Sequence, residues 1–407
     1  MKSLFYLAAG LAFGGVQHVA AAPKRSKAYD MPLTAVKNVG YTSEIFIGTP
    51  PQSLTISVDW TWISQFVLTT TCRGNDTDTS ACLSPDQQLF NQSKSRTYKD
   101  ESALYPSRVW NPNQFFFYKD MEVDHASDIL TVGPAASRIV MQGADFQFSV
   151  SPFTFPFAGV FGLSPVFAGD NASYQAPFYQ GWKNGVWPSP ITAGYFCYEG
   201  SPDKAKSICG GADAIQTLGG YAKERIDGKA LWYDNIVFPE VNNVDFKFSP
   251  AVINYWALDL TSMKIGNESQ AINKTHGAGA IFDNASYGQG APLSVDAYER
   301  LIALSDAKPI TLEAPPNNGN QSWYEVDCSK KESLPPLKYQ FAGHAKEWEI
   351  IPSHYVDDIG NNTCVLNVRT LGFGDMLIGN FGDTFAKDKY IMFDFDKLQV
   401  GIADLKW

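Results

Sequence analysis

The sequence is short of charge. Only 18% of its residues are Asp, Glu, Lys or Arg, against roughly 25% in an average soluble protein. The balance is acidic, with a net charge of −10, which excludes a basic nucleic-acid binder and a disordered acidic tail. Histidine is scarce, with five in the chain, and none of the six cysteines forms a Cys-x-x-Cys pair, so no metal site is expected. Gly-x-Ser-x-Gly fails where Val166 follows Ser164, and no phosphate-binding glycine loop or His-Glu-x-x-His occurs. Those absences remove the common serine-hydrolase, nucleotide and zinc-hydrolase readings, and no cofactor is expected. Beyond the first two dozen residues there is no apolar run long enough to span a bilayer, so no membrane anchor is expected. What is present is 44% hydrophobic and 14% aromatic residues with 33 Gly and 24 Pro in 407 residues. That mixture reads as strands broken by turns, an all-β chain large enough for two or three domains.

Residues 1–22 carry Lys2, an apolar run from Leu4 to Val16, and the small residues Ala20, Ala21 and Ala22 before Pro23. This is the pattern of a secretory signal peptide, followed by a short leader over 23–40 with a dibasic Lys24-Arg25. The expected location is therefore secreted, extracellular. Six cysteines suit that compartment. Sequential pairing of Cys72 with Cys82, Cys197 with Cys209 and Cys328 with Cys364 closes the shortest loops and is the expected framework. Eight Asn-x-Ser/Thr sequons start at Asn75, Asn91, Asn171, Asn267, Asn273, Asn284, Asn320 and Asn361. They point to an exported glycoprotein.

Strand patterns run throughout, as in Thr42 to Ile47 and Leu54 to Asp59, where apolar and polar residues alternate. Short helices are expected at Val295 to Ala303 and Ile351 to Tyr355. A long-range repetition organises the rest. An apolar strand ends in Asp59-Trp60-Thr61, and Val160-Phe161-Gly162 follows well downstream. The second half repeats this with Ala280-Ile281-Phe282-Asp283-Asn284-Ala285 and then Leu377-Ile378-Gly379. Two halves with one strand-terminal aspartate each suggest two lobes, 41–195 and 196–407, that bring one carboxylate each to a shared cleft.

On these residues the chain resembles the pepsin-like aspartic proteases. Tyr41 to Gln52 is similar to the family's N-terminal strand and turn, Gly159 to Pro165 to its first-lobe threading strand, and Asn254 to Ile265 to the early strands of its second lobe. Leu377 to Phe381 and Met392 to Ile402 resemble its closing strands, and Cys328 and Cys364 match the position of its late disulfide. The resemblance runs from about residue 40 to the C-terminus. It implies a bilobal all-β fold, two β-barrel-like lobes around a central cleft, and a monomer that takes a polypeptide in that cleft.

The family's chemistry needs two carboxylates about 3 Å apart sharing one proton around a water. Each sits in an Asp-Thr/Ser-Gly loop whose hydroxyl makes a buried bond across the lobes. Asp59 and Asp283 occupy both catalytic positions, yet the loops around them differ. The first reads Asp59-Trp60-Thr61-Trp62 and the second Asp283-Asn284-Ala285-Ser286. An indole, on the order of 200 Å² of surface, thus replaces a buried hydroxyl, and a misplacement of about 1 Å costs on the order of 100-fold in rate. The expectation is a secreted homologue with weak or no peptidase activity, a pseudoenzyme that acts by binding. The alternative is an active endopeptidase using an Asp59/Asp283 dyad and bound water. Tyr118 is the candidate flap tyrosine, and the Asn284 sequon is expected to stay unmodified in an interior loop.

Overall fold

In the computed structural model the described residues are 27–36, 40–70, 88–105, 108–110, 121–145, 157–198, 207–236, 255–272, 279–284, 290–313, 320–370 and 377–407. Residues 1–22, expected as a signal peptide, and Cys72, Cys82, Asn75, Tyr118, Asn273, Ala285 and Ser286 lie outside them.

The alternation at Thr42 to Ile47 and Leu54 to Asp59 folds as the antiparallel pair Gly40–Ile47 and Gln52–Asp59. Ile45, Ile47, Leu54, Ile56 and Val58 lie in the core, as a period of two requires of a half-buried sheet. A long hairpin, Met121–Val132 with Ala135–Asp145, extends this lobe. In the second half, Ala257–Ile265 pairs with Gly279–Phe282 on one edge and with Leu337–Phe341 on the other. The helix expected at Val295 runs to Ser305. Ser294 accepts from the Ala297 N–H at its start, and Asp306, left-handed at φ 50°, ends it. The disulfides Cys197–Cys209 and Cys328–Cys364 are formed.

Between the halves lies a run of six strands drawn from both, part of a larger sheet. Its order is Ile226–Asp234, Gln399–Leu405, Lys389–Asp394, Ile191–Phe196, Ala214–Leu218, Tyr29–Val36, all antiparallel. Two sequence expectations need adjusting here. Residues 29–36, read as part of a leader, form a strand that registers Tyr29 against Leu218 and Leu33 against Ala214 and then pairs with Gly40–Ile47. The lobe boundary placed between 195 and 196 falls inside the strand Ile191–Phe196. Both have one cause: the interlobe sheet is woven from distant segments, so no point on the chain separates the lobes cleanly.

Side chains of this sheet alternate between two cores. Ala193, Tyr195, Tyr390 and Met392 face one cluster, while Phe196, Ile391 and Phe393 face the main core. That main-core face is the one on which the first aspartate loop rests.

Candidate active site

Each aspartate stands at the end of a strand flanked in the same way. Gln52–Asp59 is antiparallel to the strand before it and parallel to Gly159–Gly162, with Asp59 level with Gly162. Gly279–Phe282, which precedes Asp283, is antiparallel to Ala257–Ile265 and parallel to Leu377–Phe381. The Asp283 N–H donates to the Phe381 carbonyl at 2.9 Å. The threading strands pass at backbone contact, which is why a glycine stands at 162. A β-carbon there would lie 2.1 Å from the Trp62 carbonyl oxygen, inside any allowed contact.

Both carboxylates are buried, each only 7% exposed. The Asp59 Oδ1 accepts from the Thr61 N–H and from the Thr61 hydroxyl, both at 2.7 Å. Burial pushes the Asp59 carboxyl above its ordinary value, against the side-chain and backbone donors of Thr61 and the Trp62 backbone, which pull it down. The Asp283 Oδ2 accepts from the Asn380 amide at 2.6 Å. Partly buried Tyr255 has its phenol pushed up by burial first and then by the charges of Asp283 and Asp59. One side chain thus senses both aspartates.

The residues after the aspartates join the lobes. The Trp60 N–H donates to Asn284 Oδ1 at 2.9 Å, and Asn284 Nδ2 donates to the Val58 carbonyl at 2.9 Å. A single amide, 2% exposed, is therefore donor and acceptor across the lobe boundary at once. A second bridge runs from the Trp256 indole to the Leu163 carbonyl at 2.7 Å.

The Trp60 indole packs into the interlobe sheet. It is 1% exposed, edge-on to Phe196 and Phe393 at 5.8 and 5.1 Å, with Nε1 donating to Gln216 Oε1 at 2.9 Å. Burying a ring of this size stabilises its place by on the order of 5 kcal/mol. Trp62 is buried edge-on to Phe66. The loop has accepted two indoles by sending each into a core.

These features, two aspartates on matched strand ends with one buried clamp between them, extend over the whole chain. A family model described as eukaryotic aspartyl protease matches residues 40–405. The chain belongs to this family. Among its relatives are the aspartic protease-like protein pytH of Aspergillus terreus, 50% identical over 404 residues and covering 95% of each chain, and a probable secreted aspartic protease of Arthroderma benhamiae, 42% identical over 420 residues and the full length of both. The secreted aspartic protease LUC8 of a Fusarium species is 30% identical over 423 residues, 96% of this chain and 93% of its own. The bilobal all-β fold is that of the family, and the protein is secreted.

Thr61 bonds Asp59 within the first loop, and Asn284 joins that loop at Trp60 and Val58. The strands Arg108–Trp110 and Met121–Val132 pair where the flap hairpin was expected, though Tyr118 lies outside the described residues. Asn91 and Asn171 cap short 3₁₀ turns, each accepting from the serine of its own sequon. Asn267 and Asn361 are exposed, and Asn320 opens the strand Asn320–Val326. Among the described residues no His, Cys, Asp or Glu group is arranged to hold a metal, and no helix is long and apolar enough to cross a membrane. Sequence reasoning missed Asn380, Gln216, Gly194 and Tyr255. Asn380 stands inside the motif Leu377 to Phe381 and was within reach, being one parallel strand away from Asp283. Gln216 and Gly194 carry no local signal.

Proposed function

We propose that the protein is a secreted aspartic-type endopeptidase of low turnover, in which Asp59 and Asp283 share one proton and a water. The observation that carries this reading is the clamp: Asn284, next to Asp283, bonds the Trp60 N–H next to Asp59 and the Val58 carbonyl before it, which supports a shared carboxylate pair. The relatives named as aspartic proteases support it. In the reaction the ionised carboxylate takes a proton from the water as its oxygen attacks the peptide carbonyl. The protonated carboxyl gives its proton to the carbonyl oxygen. Collapse of the tetrahedral intermediate expels the amine, which leaves with a proton from the dyad.

Low turnover follows from asymmetry. A hydroxyl on each loop would give two reciprocal cross-lobe bonds, but Trp60 has no hydroxyl to contribute. A reading as a polypeptide-binding pseudoenzyme draws on this same loss and on the degenerate loops. We also propose removal of residues 1–22, glycans on sequons other than Asn284, a polypeptide as the cleft's occupant, and a monomer.

The test is hydrolysis of a denatured protein from acid to neutral pH by the wild type, Asp59→Ala and Asp283→Ala. Cleavage by the wild type that both variants lose supports the dyad. Cleavage that survives in either variant, or none at any pH, removes it.

A further inference from the structure

We propose that Gln216 is a positioning residue for Asp59. It acts through the Trp60 indole and anchors the Asp59 loop to the interlobe sheet in place of the cross-lobe bond that an indole cannot make. The inference rests on the hydrolytic reading above and deepens it.

The anchor is a chain of buried bonds with only one consistent direction. An indole N–H can only donate, so Oε1 of Gln216 must face Trp60, at 2.9 Å. That leaves Nε2 to donate to the Thr192 hydroxyl at 2.7 Å, and the hydroxyl in turn donates to the Thr217 carbonyl at 2.7 Å. Gln216 and Thr192 are fully buried, so no water competes, and a flipped amide would set two donors against each other. The sheet also makes room for the ring. A β-carbon at Gly194 would approach it to 3.0 Å and the Gln216 amide oxygen to 3.1 Å. Residues from three distant segments, Trp60, Gly194 and Gln216, are thus fitted to one another.

The consequence falls on Asp59 because Trp60 follows it directly. Its backbone N–H is pinned across the lobes by Asn284 and its ring is pinned to the sheet by Gln216. With both ends of Trp60 fixed, the carboxylate before it has little latitude. Losing the ring anchor frees the loop by a fraction of an ångström, enough to matter when about 1 Å is worth on the order of 100-fold.

The experiment compares Gln216→Met, Trp60→Phe and the pair together, reading kcat and KM on a peptide substrate, the pH dependence of kcat, and Tm. Gln216→Met keeps the side chain's length but strands the indole N–H, so it lowers Tm as well as kcat. The double variant strands neither partner. The expected result is a kcat about tenfold down in Gln216→Met with KM unchanged and the acid limb of the profile displaced. In the double variant Tm is no lower than in Trp60→Phe alone, while kcat stays down. A kcat unchanged in Gln216→Met, or one that recovers with Tm in the double variant, overturns the proposal. If the wild type cleaves nothing, the hydrolytic reading fails by itself. The anchor is then read from the titration of Asp59 by carboxyl carbon-13 NMR: a curve displaced in Gln216→Met supports it, and coincident curves overturn it.

Discussion

The two aspartate loops start from the same strand geometry, and among the described residues different partners reach them. Asp59 is held from within its own loop, by the amide and hydroxyl of Thr61 two residues on. Asp283 accepts from Asn380 on another strand, and residues 285–289 of its own loop lie outside the described residues. After Asp59 comes a residue whose backbone N–H meets Asn284 and whose ring is buried in the interlobe sheet against Gln216 and Phe393. After Asp283 comes one that lends its whole side chain. Among the described residues there is a division of labour: Asn284 supplies the clamp, and the Trp60 ring supplies the anchor in the interlobe sheet. Substitution at a conserved-looking motif position therefore does not measure damage until the destination of the new side chain is known.

That contrast makes unequal demands on residues 60 and 284, and the largest expected effect is at Trp60. Trp60→Thr, which restores the family's residue, leaves a void against Phe196 and Phe393 and an unpaired Gln216. Loss of about 3–5 kcal/mol in urea unfolding is expected. A neutral Trp60→Thr would show that the indole is not an anchor at all. Asn284→Leu comes next: it strands the Trp60 N–H and the Val58 carbonyl in a buried site, at about 1–3 kcal/mol each. Asn284→Thr, which keeps one hydroxyl able both to donate and to accept, should cost less in the same measurement.

Smaller effects separate the two carboxylates. Asn380→Leu removes a charge-assisted donor from Asp283 and should lower kcat about tenfold, in line with roughly 1.5–3 kcal/mol for such bonds less what the loop recovers. Thr61→Val leaves the backbone donor in place, so a few-fold loss is expected. Its clearer mark is on pH. The hydroxyl lowers the Asp59 value, so removing it raises that value further, and the limb of the kcat profile set by Asp59 should move to higher pH while Thr61→Ser leaves it in place.

The smallest effect compares the lobes through the pH dependence of stability. Asp59 has a raised carboxyl, so its contribution is complete below the ordinary value of 3.8 and is lost as pH rises through its folded value. His354 is 3% exposed and bonded through Nε2 to Asp388 at 2.8 Å. Burial lowers its value from 6.5, opposed by Asp388. Its contribution is complete above 6.5 and fades as pH falls toward its folded value. Thermal unfolding followed from neutral into acid should therefore show a decline from the second lobe that His354→Gln removes. A decline unchanged in that variant would assign it elsewhere.

Much of this was written in local pattern. Alternation gave Gly40–Ile47 and Gln52–Asp59, because one face of a strand must be apolar to be buried. The repeat of an aspartate after an apolar run, followed far downstream by an apolar-apolar-Gly triplet, located both aspartates and both threading strands. The glycine at 162 has a steric cause, since a β-carbon there would meet the Trp62 and Ser64 carbonyl oxygens. The steric cost assigned to Trp60 was a sound estimate for an indole kept in the loop, and it lapsed because the ring leaves the loop for a site built by Gly194 and Gln216. Neither residue announces this in sequence, since a glycine and a glutamine in strands are individually unremarkable.

By itself, then, the sequence determined the strands, which follow from periodicity, and the all-β, secreted class, which follows from composition, the N-terminal pattern and the family resemblance. Only the tertiary structure decided that residues 29–36 complete the interlobe sheet, that Asn284 serves both lobes, and that an indole in a catalytic loop finds its acceptor 156 residues away. Hydrogen-bond partners for buried groups are chosen among whatever the fold brings within about 3 Å, and that neighbourhood does not exist until the distant segments have packed.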